Sequence, residues 1–217
     1  MKNSTRLRTS ILAAGICAAI PAHASPLFDD FSLSQAGVVN TSAVGFADSG
    51  TVALNANTSR TLYTYNNSND EPGFSDSKAV VFNNAFLYSS DDDVSGLGYI
   101  GYSFATPEDF TGNTDFAINL LTNDVVGILD IVGLDGHGNR SDTFATLPAT
   151  TSLTTVNVNN VFVGDDITDI VTVYVIMGGA RGEDLSLGSV VAAPEPASMV
   201  ALGAAGLCLL RRRRSRA

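Results

Sequence analysis

Across residues 25–193 no apolar stripe with a 3.6-residue period coincides with helix caps over three turns, and only residues 107–110 carry a short helical-turn signal. A chain of this kind must bury its apolar side chains through strands. The strand signals are short runs rich in Val, Ile, Phe, Tyr and Thr, broken by clusters of Gly, Asn, Asp and Ser. Residues 170–177 set Val171, Val173, Val175 and Met177 against Thr172, Tyr174 and Ile176; with no strongly polar side, this run belongs in the middle of a sheet.

The remaining runs fall in order. Residues 27–33 alternate Leu27, Asp29, Phe31 and Leu33 with Phe28, Asp30 and Ser32, an opening strand. Residues 38–40, 51–54 and 60–65 follow, the last setting Leu62 and Thr64 against Tyr63 and Tyr65. The Asn, Asp and Gly of residues 66–77 read as a surface loop. Residues 79–82 and 85–88 read as a hairpin turning at Asn83-Asn84. Residues 97–104 place Ile100, Tyr102 and Phe104 on one side, with glycines at 98 and 101. Residues 116–121, 127–134, 150–158, 161–163 and 183–191 complete the strand series, with a glycine-dense turn after Leu134. About ten short strands without helices make the fold class all-β, an antiparallel β-sandwich or barrel.

Both ends read as addresses. Lys2, Arg6 and Arg8 precede an apolar stretch at residues 11–20, and Ala22-His23-Ala24 gives a small-x-small cleavage site, so residues 1–24 are expected to be a signal peptide with a signal helix, cut before Ser25. Pro194-Glu195-Pro196 stands before the apolar residues 197–210, and Arg211, Arg212, Arg213, Arg214 and Arg216 follow. As a helix, residues 197–210 would extend about 21 Å against a hydrocarbon core of about 30 Å, short for a span, and the arginines would hold its end in the cytoplasm. The two prolines keep the tripeptide extended. An uncut tail anchor would explain the transmembrane helix and the basic stop, but not the tripeptide.

Tripeptide, apolar segment and basic stop, in that order, resemble the PEP-CTERM sorting signal of exported proteins of Gram-negative bacteria, with exosortase as the implied processing partner. The expected division is residues 1–24, a β-sandwich at 25–193, and a sorting signal at 194–217. Signal peptidase, the export translocon and, before processing, the membrane are the further partners this implies. The resemblance places the chain across the inner membrane, transiently anchored, and then at the cell surface or outside it, in association with exopolysaccharide or biofilm matrix.

Setting the addresses aside leaves four cations, Arg60, Lys78, Arg140 and Arg181, against 21 of the 22 acidic residues, a net charge of −17. Binding to nucleic acid is disfavoured by that repulsion and by the lack of a basic patch. Cys17 and Cys208 both lie in the addresses, so residues 25–193 can use neither disulfides nor cysteine-bound zinc and depend on a core. His137 is the one histidine in these residues, and its Gly-flanked turn reads as hairpin geometry; no catalytic residue is assigned and an enzyme is not expected. Asp91, Asp92, Asp93 and Asp165, Asp166, Asp169 are local acidic clusters whose oxygens suit Ca2+, although solvated loop acids explain them as well, and the metal ligands stay unassigned.

The order of features from Phe28 to Val191 resembles the galactose-binding-like jelly rolls of carbohydrate-binding modules, in which first and last strands are neighbours; this resemblance implies a calcium near the first strand, with Asp29 or Asp30 joining a later acid. The expected function is a surface or matrix structural protein. A calcium-assisted carbohydrate-binding module is the alternative, and a secreted hydrolase a third. With no Trp, only Tyr63, Tyr65, Tyr88, Tyr99, Tyr102 and Tyr174 are available to stack on sugars, and alternation assigns most of them to core packing. A groove with two or more exposed tyrosines would favour sugar binding; paired carboxylates with raised pKa in a cleft would favour hydrolysis.

Overall fold

The computed structural model describes residues 27–163 and 166–193. The signal segment with Ala22 and Ala24, Asp165, the tripeptide Pro194-Glu195-Pro196, the apolar residues 197–210, and Arg211, Arg212, Arg213, Arg214 and Arg216 lie outside the described residues. Among those described there is no helix. The strands are β1 (Phe28–Asp29), β2 (Gln35–Asn40), β3 (Gly45–Ala53), β4 (Thr58–Asn69), β5 (Ser77–Phe82), β6 (Ala85–Ser90) and β7 (Val94–Glu108). They continue as β8 (Asp115–Asn123), β9 (Gly127–Asp135), β10 (Arg140–Leu147), β11 (Thr154–Val158), β12 (Ile170–Arg181) and β13 (Asp184–Ala193).

Two antiparallel sheets form a jelly-roll-like sandwich. One runs β10-β9-β12-β7-β4-β3, the other β11-β8-β13-β6-β5-β2, and β1 lies beside β13. First and last strands are therefore neighbours, with Phe28 opposite Val191 and Asp29 opposite Val190. As its sequence requires, β12 sits inside its sheet between β9 and β7. Val173, Val175 and Met177 enter the core, while Tyr174 and Ile176 keep their other side half-exposed. Ile100, Tyr102 and Phe104 of β7 point inward as the alternation requires. Asn83 and Asn84 have φ of 53° and 60°, the paired positive values of a tight hairpin turn between β5 and β6.

Several expectations are corrected. The opening strand stops at Asp29, because Phe31 turns with φ 56° and its N–H donates to the Asp29 carboxylate; Leu33 is consequently exposed. The Asn-rich surface loop begins only after Asn69. Asn66 and Asn69 belong to β4 with buried amides, Asn66 donating to the carbonyls of Asn40 and Ser42 and Asn69 to that of Ser75. The helical turn at 107–110 is absent, since β7 runs on to Glu108. Residues 161–163 are a turn rather than a strand: Asn160 has φ 56°, and Val161 and Phe162 both drop into the same core instead of pointing to opposite sides. Phe162 thereby reaches Phe110, with ring centroids 4.7 Å apart, and Phe116, at 5.8 Å. β10 carries no sequence signal strong enough to separate it from the neighbouring loop; it is an edge strand with Ser141 and Leu147 turned in and Asp142, Phe144 and Thr146 turned out.

The two sheets are tied by a buried ion pair. Arg60 of β4 is fully buried; its Nη1 lies 2.7 Å from Oδ2 and 2.9 Å from Oδ1 of Asp29, and its Nε donates to Gln35 Oε1 at 2.9 Å. Its Nη2 donates to the Leu33 carbonyl, the Tyr102 hydroxyl donates to Asp29, and the guanidinium lies 5.6 Å from the Phe31 ring centroid. Every charge in the group has a hydrogen-bonding partner.

Glu183, between β12 and β13, is buried with no partner at Oε1, although the Ala180 N–H donates to Oε2. Burial, with a smaller contribution from Asp124, pushes its pKa up to about 7. The folded state therefore holds the proton more tightly than the unfolded chain, so stability is highest below the unfolded pKa and falls as pH rises through about 7, by on the order of 2–3 kcal/mol. Urea unfolding from pH 4.5 to 8 should show that decline in the wild type and a flatter profile in Glu183→Gln. Parallel profiles would rule out Glu183 as its source.

Candidate functional site

The outer face of the β10-β9-β12-β7-β4-β3 sheet gathers four of the tyrosines. Strand alternation turns Tyr63 and Tyr65 of β4, Tyr99 of β7 and Tyr174 of β12 away from the core, each half-buried. Tyr88 and Tyr102 are the two that pack inside, at 1% and 0% exposure. The expected core role thus holds for these two and fails for the other four. The alternation of Tyr63 and Tyr65 against Leu62 and Thr64 was the signal that identified one such side.

Cross-strand register aligns these side chains into rows. Asp48, Tyr63, Tyr99, Ile176, Asp130 and Phe144 are successive partners from β3 across to β10. In the adjacent row Thr61, Gly101, Tyr174, Val132 and Asp142 face one another in the same way. Gly101 is what lets two rings lean toward each other: a Cβ there would sit 3.0 Å from both Tyr63 and Tyr174, whose centroids are 6.4 Å apart with planes at 61°. At the β3 edge Phe46 packs 4.6 Å from Tyr65 and 5.5 Å from Tyr99, while remaining 65% exposed.

The result is a depression of about 490 Å³ with Tyr63, Tyr99, Tyr174 and Phe46 as its aromatic lining, Val132, Leu134 and Ile176 as its aliphatic floor, and Asp48 and Arg140 as charged groups. Burial raises the phenol pKa of both Tyr99 and Tyr174, so both hydroxyls stay protonated and able to donate. Half-exposed rings of fixed orientation with polar tips provide flat apolar surface and hydrogen bonds together, the combination that a pyranose ring offers on its two sides. Arg140 lies 3.8 Å from Asp142 on the exposed edge strand. Asp130 is 6% exposed; burial first, then Asp142, pushes its pKa up to about 6.

The other candidate residues disperse. Asp29 is occupied by Arg60, and Asp30 caps the Ser32 N–H. Asp91 accepts from the Asp76 N–H. Asp135 accepts from the backbone N–H of Asp166, His137 and Asn139, and the first of these leads in holding its pKa well below the usual carboxylate range; it fastens the loop before β12 to the glycine-dense turn. His137 makes an exposed ion pair with Asp169, Nδ1 to Oδ2 3.5 Å. Among the described residues no group of three or more His, Cys, Asp or Glu converges as a metal site would require.

No curated protein sequence matches the chain. Among solved structures, PfGH50B is similar with a TM-score of 0.44 at 10% identity, covering 73% of this chain and 24% of that one. The family 11 carbohydrate-binding module of a cellulosomal cellulase of Clostridium thermocellum matches with a TM-score of 0.38 at 10% identity, over 75% of this chain and 91% of that one. A family 29 carbohydrate-binding module from Piromyces equi matches with a TM-score of 0.38 at 11% identity, over 72% and 90%. At residues 192–214 the sequence matches the PEP-CTERM protein-sorting motif, so that sorting element begins at the last two residues of β13.

Proposed function

We propose that this chain is an exported surface protein, sorted by exosortase through its PEP-CTERM segment, whose sandwich binds polysaccharide on the tyrosine face of the β10-to-β3 sheet. The observation that supports the binding reading is the aligned set of half-exposed rings, Tyr63, Tyr99 and Tyr174, around a glycine that leaves room for them. A groove that leaves several tyrosine rings half-exposed favours a sugar-binding domain over a purely structural one. Its association with exopolysaccharide or biofilm follows from that binding. On this reading the domain binds rather than cuts: hydrolysis takes two carboxylates flanking the bond to be cut, and the lining of the depression holds one, Asp48.

Electrophoresis of the exported protein through gels containing different soluble polysaccharides tests the binding. At least one should retard it; free migration through a broad panel would overturn the reading.

Sorting is tested by intact mass spectrometry after expression in an exosortase-bearing host. The product should begin at Ser25 and lack Arg211, Arg212, Arg213, Arg214 and Arg216, and Pro194→Ala with Pro196→Ala should block the C-terminal cut. An intact C-terminus in both proteins would contradict processing.

A further inference from the structure

Asp130 is the exceptional polar group of the tyrosine face. It is only 6% exposed, and its Oδ1 has no hydrogen-bond partner. The Thr143 N–H of β10 donates to this carboxylate, but Oδ1 is left bare, and a bare buried oxygen calls for a further donor. Its place is fixed by register: it stands in the row of Tyr63 and Tyr99, with Ile176 on one side and Phe144 on the other. Phe144 belongs to the edge strand and is 65% exposed, so it can swing aside with little loss of buried area.

The acids around it outnumber the bases. Asp48 and Asp142 share the face, and the single cation, Arg140, lies within reach of Asp142. The domain as a whole holds 21 acids against four bases. A uronic-acid polymer would meet net repulsion here, whereas an ammonium group would both satisfy Oδ1 and offset the surplus charge.

Resting on the proposed sugar-binding role, we infer that the face selects a polysaccharide bearing free amino groups, with the Asp130 carboxylate accepting a charge-assisted hydrogen bond from a sugar ammonium. The aromatic rings hold the pyranoses; Asp130 decides which substituent is favoured. Arg140 and Asp142 on β10 and Tyr99 on β7 are the charged and titratable groups that act on it, and β12 contributes only Ile176 at that row. Because burial pushes the Asp130 pKa up to about 6, acidifying from pH 7 to pH 5 protonates it, and the preference should shrink over that interval.

Calorimetric titration of the exported protein with a fully deacetylated glucosamine tetramer, its N-acetylated counterpart and cellotetraose tests this. At pH 7 the amino form should bind at least tenfold tighter than the other two. Asp130→Asn should bring the three within about twofold, and should raise Tm because a buried, only partly hydrogen-bonded charge is removed. Tetralysine and the Asp70→Asn variant control for bulk attraction to an acidic protein, Asp70 being an exposed acid paired with Arg181 outside the lining of the depression. Overturning results are equal binding of the three sugars, a preference that survives in Asp130→Asn, or tetralysine binding as tightly as the amino sugar. If cellotetraose binds in a Tyr63-dependent way without amino preference, only the selectivity fails; if no sugar binds, the binding role fails with it.

Discussion

Replacing Arg60 with methionine is expected to destabilise the domain by about 3–5 kcal/mol, the largest single effect on stability in this fold. The substitution preserves most of the side-chain length but leaves Asp29 charged and buried, with the Tyr102 hydroxyl and the Phe31 N–H still donating to it. It also frees the Gln35 Oε1 and the Leu33 carbonyl, which hold the turn after β1. Since β1 pairs with β13, the chain leading to the sorting motif should loosen first, and Val190 and Val191 should lose amide protection ahead of β12. Urea unfolding of Arg60→Met, Asp29→Leu and the double variant decides the matter. The double variant should lose less than the sum of the singles, because it removes both buried charges at once. Losses below 1 kcal/mol in the singles, or simple additivity in the double, would show that the pair is not the tie described here.

The second large effect is on binding. Tyr63→Ala together with Tyr174→Ala removes both rings that lean over Gly101, and truncated aromatic anchors at the centre of an interface each cost roughly 1–2 kcal/mol or more. Affinity for the retarding polysaccharide should fall at least 30-fold, about 2 kcal/mol. Tm should change little, since both side chains point away from the core. Migration in the polysaccharide gel unchanged from wild type, with the fold intact, would move the binding surface elsewhere.

Much of this architecture was legible in the sequence for identifiable reasons. Strands with one face fully apolar, such as Ile100, Tyr102 and Phe104, announced both their conformation and their side. The Asn83-Asn84 turn was legible because two adjacent asparagines suit paired positive φ. Asn66 and Asn69 misled because their amides satisfy buried backbone carbonyls, a long-range circumstance that local composition cannot carry. Residues 161–163 misled because apolarity alone does not separate a strand from a turn that drops two neighbours into the core.

The site was legible only in fragments. Asp29 drew attention as an acid near the first strand, where the family resemblance implies calcium, yet its partner is Arg60, 31 positions along the chain and indistinguishable in sequence from a surface cation. Tyr63 and Tyr174 share a row-and-diagonal neighbourhood only because β4, β7 and β12 are adjacent, so no spacing along the chain could reveal them as a pair. Gly101 was the available clue: a glycine inside a strand marks a close approach, and here what approaches it is a pair of aromatic rings.

The central claim is that the tyrosine face is where polysaccharide binds, and the distribution of the chain's six tyrosines makes it directly measurable. NMR spectra of the exported protein labelled on its tyrosine rings, recorded while a retarding polysaccharide is added, should show the signals of Tyr63, Tyr99 and Tyr174 moving and that of Tyr65 responding beside Phe46, with Tyr88 and Tyr102 still. Ring signals that all stay fixed while the protein binds, or that move only at Tyr88 and Tyr102, would contradict the claim.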